Sequence, residues 1–548
     1  MNKKYISESR YNKTNKIKVS LEKKGVKLKK TKTEIKKRNK LVFKIACCIL
    51  IAAILTTVII FSLKEKKDST YIKGENGDLK PINNSTINIG INKLGEVSPI
   101  LAQNMYINEL NKYIYTYLLT LDKNKNIKYK ALSKVDKISS AEYYIFVNNK
   151  ITYDGSKKIT IYDVKNSIEQ LKKLGNETPY KDNVENIKQI EVIDQTKLKV
   201  TLTKPDPAFI YKLEIPLLPI SKYNDIDKIK QDTVPQECGN IYNVYQNDSN
   251  IVLDRTNSAS KIYPQKLNIV KAENTQELID KFKNGSLDMF FSTKPDIQNE
   301  LGRYEYSIKN FSTGESVFMF GNSESENFKI KSARQALAYC IDRSEIKKNV
   351  YKNMCMPIDI PYLNLETKYR FDKIVAENLL QADGLEKKGG IYSSKNVTLS
   401  YKLLVNKNNQ QLYEIAKIIK ADVAEIGIRI DIIEADNTSF NTLLNAKAFD
   451  LVLMNVNLNE NLDISFLDRF MFKNDVLNAA DNNLNNSNVQ NVQKCLEEKQ
   501  KAMIEEVSCI GIVTETSNLI YNKEITAFED VGYINIFNNL QDIHLTNK

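Results

Sequence analysis

Residues 408–460 read NNQQLYEIAKIIKADVAEIGIRIDIIEADNTSFNTLLNAKAFDLVLMNVNLNE. Leu412, Ile415, Ile419, Val423 and Ile426 recur at helical spacing and share one face, and Gly427 ends that helix. Ile428–Ile433 alternates apolar and polar side chains, the period of a half-buried strand. A short helix around Phe440–Ala446 follows. Phe449, Leu451, Val452, Leu453 and Val456 then form a short apolar run, a buried strand that turns abruptly polar at NLNEN, residues 457–461. Strands and helices alternating through short connections build an open α/β sheet, in which ligands bind at the carboxyl ends of strands. NLNEN sits at such an end and is the first candidate site.

The pattern extends in both directions. TINIGI (86–91) alternates as a strand. Residues 143–160 read as strands around a turn at Asp154-Gly155. Thr160, with Asp163 three residues on, forms a capping box for a helix whose stripe is Val164, Ile168, Leu171 and Leu174. Residues 184–205 read as two strands around Asp194-Gln195, and residues 332–353 as helical, with Asp342 and Glu345 opening a second helix. A chain of 548 residues exceeds one compact core and divides into two or three domains.

The formal charge of +13 is confined to one end. Residues 1–40 hold 16 Lys+Arg against three Asp+Glu, leaving 64 of each sign in the remainder. The large part of the protein lacks the basic excess of a nucleic-acid-binding domain, so no nucleic-acid partner is expected. After the basic tail, Ile45–Leu63 supplies 19 uncharged residues, enough to span a bilayer core. No small-x-small cleavage site follows, and the chain goes straight to Lys64-Glu65-Lys66-Lys67. Residues 41–63 are therefore expected to be one transmembrane anchor. The positive-inside rule puts residues 1–40 in the cytoplasm and the main domain outside the cell membrane. Residues 64–85 are polar and read as a linker.

Catalytic chemistry is poorly provided for. The single His, His544, is the fifth residue from the end, which disfavours Ser-His-Asp or Cys-His mechanisms. Phosphate-loop, GxGxxG and HExxH patterns are lacking, the Cys spacings match no metal site, and no cofactor is expected. An enzyme is not expected.

Taken in order, several segments resemble the family 5 extracellular solute-binding proteins, the peptide-binding (in some members nickel-binding) components of ABC importers. SARQALAYCIDRSEIKKNVY (332–351) resembles that family's "R-x-A, A-I-D-R, then a helix" signature. YDGSKKITIYDVKNSIEQL (153–171) resembles its hairpin-then-helix segment, and FKNGSLDMFF (282–291) its "G-x-x-D" strand entry. YRFDKIVAENLLQADG (369–384) and VAEIGIRIDIIEAD (423–436) resemble a helix and a helix-to-strand step of the family.

The resemblance implies an α/β, two-lobed, periplasmic-binding-protein-like clamshell of type II with an extra subdomain, here preceded by one transmembrane helix. Lobe I would span 86–319 with an insert near 112–190, lobe II 320–510, and 511–548 would return to lobe I. The crossings near Phe320–Asn322 and Ile510–Thr514 would form a hinge. The function implied is capture of extended peptides between the lobes and delivery to ABC permease subunits. The alternative is a membrane-tethered receptor or scaffold that keeps the fold but binds a protein or signal peptide. In peptide-binding relatives the strand of the opening stretch continues as "G-W-x-x-D-Y", its Asp taking the peptide's α-ammonium. The match puts Asn455 at the Gly, Val456 at the Trp, Asn459 at the Asp and Glu460 at the Tyr, so the carboxylate is missing or displaced by one residue. Asn459 and Glu460 are thus expected at the ligand's amino end, with Asn455 and Asn457 as polar contacts and Tyr106 and Tyr242 as cleft aromatics. A metal-chelate ligand is disfavoured, because no cleft His is at hand.

Overall fold

The computed structural model describes residues 71–73 and 79–545, apart from 96, 123, 154–156, 232–240, 247–249, 257–259, 361–366, 459–469, 526–535 and 538–539. Two compact units result, residues 1–82 and 83–548. In the first, Tyr71–Lys73 pairs antiparallel with Leu79–Pro81, inside the stretch expected to be a linker. Among the described residues no helix is long and apolar enough to cross a membrane. The expected anchor, 41–63, lies outside the described residues.

The second unit is organised by an 11-stranded mixed sheet. Two long strands hold it together, Ser307–Gly321 and Ile510–Tyr521, paired antiparallel to each other. Their first partnership, 307–312 with 516–521, belongs to a group that also contains Met289–Ser292, Thr86–Asn92 and Lys266–Ala272. Their second, 316–319 with 510–514, adjoins Leu451–Asn457, Ser400–Asn406 and Arg429–Ala435. The register shifts between Ser312 and Ser316 and again between Val317 and Phe318. Gly314 adopts φ +87 there, a conformation that glycine accepts without strain. A shift in register bends and twists a strand. The chain thus turns between the two halves of the sheet at Thr313–Glu315, and Phe320–Asn322 is where the strand leaves the sheet.

In the second half the opening stretch folds as its pattern dictates. Asn409 caps helix Gln410–Ile426 by accepting from the Leu412 amide, and Gly427 closes it at φ +90. Ser400–Asn406 runs parallel to Arg429–Ala435 on one side and to Leu451–Asn457 on the other. From Ser400–Asn406 the chain passes through the helix to Arg429–Ala435 and then crosses back to Leu451–Asn457 on the far side, and ligands of such parallel sheets bind beyond the strands' carboxyl ends. Asn457 is the last residue of its strand.

The family-like signature at 332–351 is a buried brace. Arg334 donates from Nε and Nη2 to the Glu506 carbonyl and from Nη1 to the Phe328 and Lys329 carbonyls, with Phe472 against its guanidinium at 3.7 Å. Arg343 donates from Nε and Nη2 to the Gly511 carbonyl at 3.0 and 2.7 Å and from Nη1 to the Ala338 and Tyr369 carbonyls. A planar five-donor fork can serve several carbonyls at once, which an ammonium cannot match. A Cβ on Gly511 would meet the Ile358 and Asp359 carbonyl oxygens at 2.6 Å, so only glycine lets that segment pack on the second long strand.

A separate four-stranded antiparallel sheet orders Leu132–Ser139, Glu142–Val147, Lys197–Leu202 and Ile187–Val192. Helix Ile161–Leu174 packs on it, with Thr160 and Asp163 making the expected reciprocal cap. This sheet and helix form a separate layer in the chain's first half, and the sheet extends to Leu202, past the insert bounds of 112–190.

Candidate functional site

A cleft of about 450 Å³ opens where the two halves of the main sheet meet. Its lining comes from five separate stretches. Gln103, Met105, Asn108 and Lys112 come from the helix Met105–Ile114 and the residues ahead of it. Asn104 caps this helix by accepting from the Tyr106 and Ile107 amides. Ile107, Leu110 and Ile114 face the core, so Met105, Asn108 and Lys112, three and four residues apart, share the face turned to the cleft. Pro179, Tyr180, Asp182 and Asn183 form a second wall, and Tyr211 and Glu214 a third. Thr313 and Glu315, from the register break, form the floor, and Asn457 and Leu458 close the other half. Leu458 is held by its amide, which donates to the Gly314 carbonyl at 3.1 Å.

The electrostatics of the cleft centre on a buried ion cluster. The Lys112 ammonium lies 2.6 Å from Glu109 Oε1 and 3.4 Å from Glu214 Oε1, with side-chain exposures of 8%, 1% and 4%. Glu214 Oε1 also accepts from the Leu121 amide at 2.8 Å. Two carboxylates share one ammonium, and hydrogen bonds of this kind are what make a buried charge tolerable. Asn108 Oδ1 is buried and has no hydrogen-bond partner among the described residues. At the floor, hydroxyls tie the long strands together. Ser312 Oγ and Thr514 Oγ1 are 2.7 Å apart, Thr514 Oγ1 donates to the Glu315 carbonyl, and Thr313 Oγ1 donates to that of Glu515. Burial and the neighbouring Glu315 charge push the Glu515 carboxyl above its ordinary range.

Contacts away from the floor join the four-stranded sheet and the turn before it to the second half. Lys137 donates to the Leu484 and Asn485 carbonyls at 3.3 and 2.8 Å, at the carboxyl end of helix Asp475–Asn486. Gln493 Nε2 donates to the Asn124 carbonyl at 2.9 Å. The Lys125 ammonium, with Glu497 near it, is pushed down to about 8 by burial.

Of the residues singled out in the sequence, Asn457 lines the cleft. Asn455 pairs with Val317 and is exposed, two residues back on the same face. Asn459 and Glu460 lie outside the described residues. Tyr106 stacks on Phe291 with centroids 4.0 Å apart, and its hydroxyl meets Ser517 Oγ at 3.1 Å, fastening the helix to the second long strand. Tyr242 is fully buried in an outer strand and donates to the Pro264 carbonyl. Neither tyrosine is among the cleft-lining residues. His544 sits near the carboxyl terminus, its Nδ1 3.1 Å from the Asp542 carbonyl oxygen.

Sequence reasoning missed Lys112, Asp182, Glu214 and Glu315. One signal was present. Ala208–Ile220 reads AFIYKLEIPLLPI, an apolar run interrupted by Lys212 and Glu214. Charges in such a run are buried and must be paired, and both are: Lys212 bonds Asp206 at 2.9 Å, Glu214 joins Lys112.

Comparison with known proteins gives a consistent picture. The family model for bacterial extracellular solute-binding proteins, family 5 (middle), matches residues 119–478. The nickel-binding protein NikA of Staphylococcus aureus is 23% identical over 359 residues, covering 64% of this chain and 70% of that protein. The unliganded open form of the periplasmic murein tripeptide-binding protein MppA superposes with a TM-score of 0.67 at 14% identity, covering 87% of this chain and 99% of that one. A nickel ABC transporter structure from Bacillus halodurans gives a TM-score of 0.64 at 15% identity, covering 81% and 97%.

Proposed function

Because the chain belongs to the bacterial extracellular solute-binding proteins of family 5, non-enzymatic binding components of ABC importers with a two-lobed α/β fold, we propose that it captures peptides between its lobes and delivers them to a permease. The observation that carries this reading is the cleft itself. It lies at the junction of the two half-sheets, it is large enough for several residues of a peptide, and its lining mixes apolar surface with polar groups that can take a main chain. Asn457 offers a polar contact, and Asn459 and Glu460, which follow it in the chain, are assigned to the ligand's amino end.

Closure takes place at the Thr313–Glu315 bend and its neighbour on the second long strand, the only two strands shared by both half-sheets among the described residues. Strands carried through from one lobe to the other, with a local break in register, are suited to hinge motion. The contacts of Lys137 and Gln493 then act as a latch, holding the lobes together on the side away from the hinge. Residues 41–63 tether the protein to the membrane in this reading, supported by 19 uncharged residues behind a basic tail.

A second reading, transport of nickel, is favoured by the name of the Staphylococcus relative. The cleft lining among the described residues contains neither His nor Cys, and the one His of the chain is at 544. Nickel would have to arrive as a chelate carrying its own donors. Native mass spectrometry of the full-length protein, purified gently from the producing cell, decides between the readings. A ladder of added masses that sequence as peptides supports peptide capture. A single added mass with the isotope pattern of nickel overturns it in favour of the chelate. A clean mass together with no thermal shift from a peptide library overturns both and turns the search to protein partners at the membrane.

A further inference from the structure

We propose that Glu315 and Glu515 make the hinge sensitive to acid, so that closing the lobes takes up a proton at the floor of the cleft. The inference rests on the hinge motion proposed above and adds a control to it. Ser312 pairs with Thr516 and Ser316 with Thr514, so three residues, Thr313–Glu315, stand opposite the single residue Glu515. Three against one is a bulge, and it falls at the crossing between the half-sheets. Hydroxyls pin both backbones there: Thr313 Oγ1 donates to the Glu515 carbonyl and Thr514 Oγ1 to that of Glu315. Glu315 lines the cleft and pairs with Asn457 on its other side, and Glu515 lies opposite Cys355. The two glutamates thus bring like charges near each other, and no ion pair offsets either carboxylate among the described residues.

The other groups around Glu515 do not titrate with it. Burial pushes the Cys355 thiol up to about 12 and the Tyr351 hydroxyl above its ordinary range, so both stay neutral at about pH 5–7. Lys347 acts on Cys355 from the helix Arg343–Asn349. Lys112, Asp182 and Glu214 line other walls of the cleft and have partners of their own. In the form described here the Lys137 and Gln493 contacts are made, and burial with the Glu315 charge holds the Glu515 carboxyl above its ordinary range. Opening the lobes lets water onto the floor, which screens the pair and lets both carboxylates ionise more readily. The closed form therefore binds the proton more tightly than the open one. By linkage, closure and solute affinity strengthen as pH falls from about 7 towards 5 and weaken as it rises again.

The test has two arms, both on the full-length protein. Solution scattering of the solute-free protein should give a smaller radius of gyration at about pH 5 than at about pH 7. Glu515→Gln, which holds that side chain neutral, should be contracted at both. In the second arm Ala-Lys-Ala, whose own groups barely titrate in this range, is titrated calorimetrically in two buffers of different ionisation enthalpy. Binding should take up protons and be about threefold or more tighter at about pH 5 than at about pH 7. Both effects should vanish in Glu515→Gln and shrink in Glu315→Gln, which removes the repulsion. A wild-type radius that does not respond to pH, or a response that persists in Glu515→Gln, would overturn the inference. Binding of Ala-Lys-Ala without proton uptake would overturn it as well and leave peptide capture standing. If Ala-Lys-Ala does not bind, the scattering arm still decides the hinge, and mass spectrometry decides peptide capture separately.

Discussion

Replacing Arg343 with Met tests the buried brace most severely. The side chains are similar in length, so packing changes little, but every donor is lost. Gly511 loses two hydrogen bonds, and Ala338 and Tyr369 lose one each. Asp359, whose carboxylate lies 3.9 Å from the guanidinium, is left buried without its cation. It still accepts from the Lys368 and Tyr369 amides, which softens the loss. Summing hydrogen bonds to a charged group at about 1.5–3 kcal/mol each would overshoot, because neighbouring terms are not independent. Breaking a buried pair by removing one partner costs about 3–5 kcal/mol, and that is the loss expected here. Arg343→Lys should cost less, roughly 1–3 kcal/mol, because an ammonium reaches one or two of the three carbonyls but lacks the fork. The assay is equilibrium unfolding in urea, followed by circular dichroism. In the Arg343→Met background, Asp359→Asn should restore about 1 kcal/mol or more by removing the stranded charge. A loss below about 1 kcal/mol for Arg343→Met, or no rescue by Asp359→Asn, would refute the idea that this arginine is a charged brace rather than filler.

Three further outcomes are expected. Gly511→Ala forces its methyl against two carbonyl oxygens at 2.6 Å and should cost about 1–3 kcal/mol in the same unfolding assay. Burial pushes the Asp422 carboxyl up to about 6 in the folded protein, so the native state binds its proton more tightly than the unfolded chain. Asp422 therefore favours folding at low pH and loses that contribution as pH rises from about 4 to 6; Asp422→Asn should flatten the decline and raise stability at pH 8 by roughly 1–2 kcal/mol after allowance for screening, read from melting curves against pH. Lys137→Met removes two bonds to a helix carboxyl end and should weaken ligand binding about two- to fivefold by favouring the open form, with a larger radius of gyration in solution scattering.

The fold was legible where the chain specifies structure locally. The stripe on Gln410–Ile426, the Thr160–Asp163 capping box and the glycine stop at Gly427 are decided within a few residues, and each appears as read. The 332–351 signature was legible for a different reason. Arg334 and Arg343 each satisfy carbonyls that no other side chain could serve together, so the motif is tied to the packing it performs. The cleft was largely illegible. Met105, Tyr180, Glu214, Glu315 and Asn457 lie on five stretches brought together by the pairing of Ser307–Gly321 with Ile510–Tyr521, about 200 residues apart in sequence. Periodicity records which face of a strand is buried and not which distant strand it meets. Asn457 could be found because a strand's carboxyl end is a general site for ligands. Tyr106 and Tyr242, expected as cleft aromatics, have their hydroxyls taken up by Ser517 and Pro264 inside the fold.

The central claim is that a solute is held in the cleft between the lobes. The chain contains no Trp, so a single introduced indole reports without background. Met105 lines the cleft on the exposed side of its helix, and Met105→Trp places the probe there. Titration with the peptides found by mass spectrometry, or with Ala-Lys-Ala, should give a saturable shift in emission with the same affinity that calorimetry measures. Saturable heat without any change in the indole spectrum would put the ligand elsewhere and contradict the account.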